Sequence, residues 1–221
     1  GSAVGLGNIW RFPYELGSNG GFAFLLVYLL CVFLLGMPVM LSELIIGRRS
    51  QANASGAFRV LKPKSHWSLV GLLGVVTAFV ILSFYFVVAG WSLEYVFQAL
   101  ANSFDGKTPS DLSQAFTDFS TDVVRPLFWT LVFVVLTAVV ILAGVQNGIE
   151  RMSKILMPLL FLIIIVLCVR SVTLPKAHEG LKFLFQPNFS KINSSVVLSA
   201  LGQAFFSLSV GMSCLITYGS Y

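Results

Sequence analysis

Residues 1–13 read GSAVGLGNIWRFP. An apolar segment that carries Gly1, Gly5, Gly7 and Asn8 is a poor place for an uninterrupted helix, because glycine weakens a helix interior and asparagine competes for its backbone. At membrane depth, open peptide groups are tolerated only inside a protein-buried cavity, where they coordinate an ion or a polar substrate. The opening residues are therefore a candidate binding site, provided that the chain is a membrane protein.

Composition supplies that condition. Of the residues, 57% are apolar and only 10% charged, too few charges for the surface of a soluble domain of this size. The net charge of +5 consequently carries no argument for nucleic acid, and the bilayer is the expected partner. Cys31, Cys168 and Cys214 each fall in an apolar run without CxxC or metal-ligand spacing, and are read as small buried hydrophobes. No basic segment of the signal-peptide type precedes the first apolar run. The start reads as truncated.

Apolar spans occur at 1–16, 21–46, 68–100, 126–146, 154–173 and 195–221, against the roughly 20 residues that cross a bilayer. The expected class is an all-α, polytopic transmembrane bundle forming one domain, with its first crossing incomplete. Pro38 and Pro158 lie within spans and mark candidate kinks. A tight turn is expected at GSNGG, 17–21, and polar connections at 47–67, 101–125, 147–153 and 174–194.

Loop charges orient the bundle. The 47–67 connection holds Arg48, Arg49, Arg59, Lys62 and Lys64 with no acid, whereas 101–125 holds Asp105, Asp111, Asp118 and Asp122 against Lys107 and Arg125. The positive-inside rule places the first on the cytoplasmic side and Gly1 with it. Lys176, Lys182 and Lys191 in the outer 174–194 connection count against this assignment.

Charge at membrane depth costs at least about 2.5 kcal/mol, so each such residue needs a reason. Arg11 is either an interfacial anchor beside Trp10 or part of a gate. Glu43 either faces water beside the basic loop or accepts hydrogen bonds from unwound backbone. Glu94 and Arg170, near the outer ends of their spans, are assigned to the interface.

The last span repeats the opening pattern. In FFSLSVGMS, Ser207, Ser209, Gly211 and Ser213 sit among bulky apolar residues. Small residues also serve helix contacts, and Gly1 and Gly5 have GxxxG spacing. Two interruptions five crossings apart favour a binding site formed by paired broken helices.

AVGLGNIWRFPY, then NGGFAFLLVY, with GQAFFSLSVGMSCLITYGSY at the far end, closely resemble the neurotransmitter:sodium symporter family, of the bacterial amino-acid transporter type. The resemblance covers essentially the whole chain. It implies helices one to six of a twelve-helix carrier: the first half of an inverted five-plus-five repeat, with helices one and six broken. On this resemblance the missing second half is a partner, and the fragment alone neither transports nor binds an amino acid.

The resemblance also implies residue roles. Amides of Leu6 and Gly7, with the Tyr85 hydroxyl, would hold the substrate carboxylate; oriented amides at a half-helix start suit an anion. Carbonyls of Ala3, Phe206 and Ser207 and the hydroxyl of Ser209 would meet its ammonium, and Met212 would line the side-chain pocket. Two sodium sites are implied, both incomplete here. One takes Ala3, Asn8 and Ser207 together with the substrate carboxylate, and the other takes Gly1 and Val4. Ser207 stands where many relatives have threonine. Oxygen ligands suit a hard cation. Phe206 resembles the lid over the substrate and Arg11 the outer-gate cation, with Ser220 and Tyr221 near the inner gate.

A chloride site would draw on Tyr28, Gln203 and Ser207, and chloride dependence stays open. Gly5, where monoamine carriers of the family place aspartate, points to an amino acid, neutral and hydrophobic. The implied function is sodium-coupled symport by alternating access. A membrane scaffold that does not transport, and a carrier of another amine-containing solute, are the alternatives. An enzyme is not expected, because no nucleophile triad, HExxH or carboxylate pair stands at membrane depth. His66 and His178 are lone loop residues, and GLGN lacks the third glycine and the strand of a dinucleotide site. Sequons at Asn188 and Asn193 lie in an outer loop, yet 101–125 has neither sequon nor cysteine pair, so a prokaryotic inner membrane is expected.

Overall fold

The computed structural model describes residues 4–221. Among them there is no strand. Four helices are long and apolar enough to cross a membrane: α2 (Phe22–Ser50), α4 (Ser68–Leu100), α6 (Val124–Leu142) and α7 (Asn147–Val172). The remaining helices are α1 (Phe12–Ser18), α3 (Ala54–Leu61), α5 (Pro109–Thr121), α8 (Ala177–Phe185), α9 (Ser194–Leu208) and α10 (Cys214–Gly219). The chain divides into two compact units, 1–78 with 159–221, and 79–158.

In the first unit a wide π-turn over Gly7–Arg11 leads into α1, whose first turn contains Pro13. Proline is tolerated there because the π segment directly before it takes up the turn that the ring disrupts. The turn out of α1 needs glycine: Gly21 has φ 62°, and a Cβ on it would come within 2.8 Å of the Phe183 carbonyl oxygen. In α2 a second π segment, Val32–Gly36, stands directly before Pro38, with the Met37 N–H reaching back to the Val32 carbonyl. Such a segment absorbs the turn that the proline ring disrupts. In α7, by contrast, the helix passes through Pro158 as a continuous element.

α9 starts on the Asn193 side chain, which accepts the Val196 N–H at 2.9 Å. It packs on α1 and α2 through a cluster of Phe24, Val196 and Ala200, ringed by Phe12, Leu16, Val27, Tyr28 and Ile192. It stops at Leu208 because the next residues leave helical space. Ser209 (φ 56°), Gly211 (φ 80°) and Ser213 (φ 58°) are all left-handed, and the last of these caps α10. α10 lies against the C-terminal end of α2, where a Cβ on Gly219 would stand 2.6 Å from the Leu44 carbonyl oxygen.

In the second unit, Trp91 and Tyr95 of α4 pack against Phe116 and Phe119 of α5, with ring centroids 5.7 to 6.5 Å apart. Gly90 brings α4 onto α6, since a Cβ there would meet the Thr130 amide nitrogen at 2.6 Å.

Several sequence expectations are corrected. Glu94 is 3% exposed and ion-pairs with Arg125, so it is a buried paired group and not an interfacial one. Cys168 is exposed on α7, although Cys31 is buried and Cys214 partly so. The connections at 47–67, 101–125 and 174–194 carry the short helices α3, α5 and α8. α6 ends at Leu142, and the backbone reverses at Gly144 with φ 84°, so α7 begins inside the 147–153 connection.

Candidate functional site

The first helical turn and the end of α9 meet in the first unit. Gly5 carbonyl oxygen accepts from the amides of Asn8 and Ile9 at 3.0 and 3.2 Å, which fixes Leu6 and Gly7 in the first helical turn. Gly7 is buried beneath the Phe206 ring, so closely that a Cβ on Gly7 would collide with it. Gln203, fully buried on α9, donates from Nε2 to the Gly7 carbonyl oxygen at 2.9 Å and to Ser207 Oγ at 3.3 Å. The structure thus brings Gly7, Gln203, Phe206 and Ser207 together. Gln203 Oε1 is a buried oxygen without a hydrogen-bond partner. A lone acceptor in that position suits a cation or a donor more than an anion.

The Arg11 guanidinium lies 5.6 Å from the centroid of the Phe206 ring and 3.6 Å from Glu15 Oε1, four residues on. Glu15 Oε2 in turn accepts from Ser199 Oγ at 2.6 Å and Asn19 Nδ2 at 2.9 Å. Glu15 was not singled out from the sequence, although its spacing from Arg11 is that of a helical ion pair. The Arg11 side chain thus contacts both the Phe206 ring and Glu15.

The break after α9 is held from α2. Glu43 is 8% exposed, and its Oε1 accepts the Gly211 N–H at 2.6 Å. Of the two alternatives for Glu43, the structure realises the hydrogen bond to unwound backbone. The turn also abuts the start of α4, where a Cβ on Gly74 would meet Ser213 Cβ at 2.9 Å.

Other expected residues are not gathered so closely. Ser209 and Met212 belong to the left-handed turn, both half-buried. Tyr28 packs against Phe12 with the rings tilted by 55° and their centroids 4.8 Å apart. Tyr85 belongs to the second unit, edge-on to Phe84 at 6.3 Å. Val4 and Asn8 are half-buried, while Gly1 and Ala3 lie outside the described residues. Among the described residues no cluster of His, Cys, Asp or Glu could hold a metal ion.

The sodium:neurotransmitter symporter family model matches residues 1–118 and 110–221. The chain belongs to that family. It is 46% identical over its whole length to an uncharacterized sodium-dependent transporter, YhdH, of Bacillus subtilis, covering 49% of that protein. It is 33% identical to the human inactive sodium-dependent neutral amino acid transporter B(0)AT3, covering 39% of it. Among solved structures, MhsT in complex with L-phenylalanine superposes with a TM-score of 0.92 at 49% identity, over all of this chain and 50% of that one. This symporter-family chain therefore spans about half the length, or less, of these relatives. The fold is that of the N-terminal half of the symporter repeat.

Proposed function

We propose that the complete protein is a sodium-coupled symporter of a neutral, hydrophobic amino acid, working by alternating access. One observation carries the reading: the first-turn residue Gly7 and the end of α9 meet through Phe206 and Gln203, joining the first helical turn to the broken last span in one unit. Paired half-helices with exposed backbone suit a zwitterion and a sodium ion at the midplane. Supporting the substrate class are the phenylalanine in MhsT and the absence of a carboxylate at Gly5.

In this reading the amides of Leu6 and Gly7, with the Tyr85 hydroxyl, bind the substrate carboxylate, and the Ala3, Phe206 and Ser207 carbonyls with Ser209 bind the ammonium. Asn8, Ala3 and Ser207 share the first sodium ion with that carboxylate, so ion and substrate bind together. Gly1 and Val4 contribute to the second. Met212 adapts its thioether to apolar side chains, and Phe206 with Arg11 above it closes the outer side. Tyr28, Gln203 and Ser207 would serve chloride only with the Gln203 amide turned over, because its donors are already used.

Equilibrium binding of a labelled L-amino-acid panel to the full-length protein, in sodium and in potassium, tests this. Sodium-dependent binding of apolar amino acids that disappears in Asn8→Ala is the expected result. A folded protein that binds none of the panel overturns the reading.

A further inference from the structure

The connection between α2 and α4 carries five cations, Arg48, Arg49, Arg59, Lys62 and Lys64, and no acid. All five are exposed, and none is ion-paired among the described residues. Arg48 and Arg49 fall in the last turn of α2, where a helix C-terminus favours cations. Arg59 holds the same place in the last turn of α3, although it makes no ion pair; Lys62 and Lys64 lie beyond any helix end.

The helix α3 that presents them has two unlike sides. Ala54 and Ala57 are 4% and 0% exposed, and the Ala54 carbonyl sits so close to Gly71 of α4 that a Cβ there would strike it. Ser55 Oγ donates to the Ser68 carbonyl oxygen at 3.4 Å, and α3 also touches α10. Away from that packed side, Val60, Leu61 and Trp67 are exposed among the cations, Val60 by 57% and Trp67 by 54%. A loop that met only water would gain nothing from these three.

Close by in sequence, Ile45 of α2 and Leu69 and Val70 of α4 are apolar and exposed as well. Since α2 and α4 are both long enough to cross a bilayer, the face between their ends lies at the membrane surface. Apolar and indole side chains settle at the headgroup boundary while lysine and arginine reach the phosphates. Charge complementarity then selects the lipid. We propose that the exposed face of α3 and the residues up to Trp67 form a docking surface for anionic phospholipid headgroups, held through Arg59, Lys62 and Lys64. The inference is independent of which solute the protein carries.

Titration of the full-length protein in neutral detergent with phosphatidylglycerol or phosphatidylcholine, read by native mass spectrometry, tests it. The expected result is tighter retention of phosphatidylglycerol, weakened by salt. In the triple variant Arg59→Gln, Lys62→Gln, Lys64→Gln this preference should fall on the order of a hundredfold, about fivefold for each charge. The double variant Lys176→Gln, Lys182→Gln, which removes two exposed cations from the 174–194 connection, should retain it. Equal affinity for the two lipids, or a preference unchanged in the triple variant, overturns the proposal. So does displacement of phosphatidylglycerol by an equal concentration of inorganic phosphate, which would make the surface a site for soluble anions.

Discussion

The Glu43 carboxylate receives the backbone N–H of Gly211 at 2.6 Å, across 168 positions of sequence. A side chain of the long helix α2 therefore holds the turn that separates α9 from α10. The turn has little to hold itself, with three left-handed residues in five, Ser209, Gly211 and Ser213. Fixing it from outside lets the backbone stay open without wandering.

Glu43→Ala removes this acceptor and leaves a donor at membrane depth unpaired, a loss of about 1 to 3 kcal/mol. Glu43→Gln keeps an amide oxygen in place and should lose less. Thermal melting of the full-length variants in sodium should rank wild type, Gln, then Ala. The Ala variant should also show weakened sodium-dependent binding, because Ser207 and Ser209 adjoin the turn.

Gly5 and Gly7 should respond differently to the same change. A Cβ on Gly5 meets nothing within 4 Å, whereas one on Gly7 collides with the Phe206 ring. Gly5→Ala is expected to keep amino-acid binding, and Gly7→Ala to abolish most of it by displacing the aromatic lid. Gly5→Asp should abolish binding for another reason, repulsion of the substrate carboxylate. Retained binding in Gly5→Asp would sink the proposed pose while leaving the steric argument for Gly7 intact.

The break after α9 was legible because glycine and serine inside an apolar run have few other uses at membrane depth; from Leu6 onward the first segment is helical. What each segment touches was not legible. Glu43 admitted two roles until its partner was placed, and Gln203 gave no sign of bridging to Gly7. Glu94 was misassigned because its position near a span end says nothing of Arg125, 31 residues later. The short helices were missed for a different reason. They are too polar and brief for an apolar-span search, although Thr108-Pro-Ser-Asp111 is a readable helix start. For Gly1 and Ala3, outside the described residues, the expectation rests on the family resemblance.

That helix start gives a pH prediction. Asp111 and Thr108 form a reciprocal capping box at α5, and the hydrogen bonds from Thr108 hold the Asp111 carboxyl below its ordinary value. A carboxyl whose pKa is lower in the folded state contributes stability above its unfolded value, about 3.9. That contribution is lost as pH falls through the folded value. Amide hydrogen exchange over the first turn of α5 should be faster in Asp111→Asn than in wild type at neutral pH. The difference should vanish in acid below the ordinary carboxylate range. An equal difference at both pH values would mean that the carboxylate charge is irrelevant to the cap.

The Glu94–Arg125 pair in the second unit should break asymmetrically. The Glu94 side chain is 4% exposed and that of Arg125 is 58% exposed. The Gln98 amide also donates to Glu94 Oε1, at 2.6 Å. Without Glu94, Arg125 keeps water and its place over the Phe119 ring, 5.8 Å from the centroid. Without Arg125, Glu94 is a buried carboxylate with Gln98 as its remaining hydrogen-bond partner among the described residues, and an uncompensated buried charge is the costlier remnant. Arg125→Ala should therefore destabilise the full-length protein by about 2 kcal/mol, more than Glu94→Gln, and the double variant should recover part of that loss. Melting of the three variants in detergent decides it. Equal losses from the two single variants would show that the pair acts as a solvated surface bridge, and that the burial of Glu94 carries no penalty.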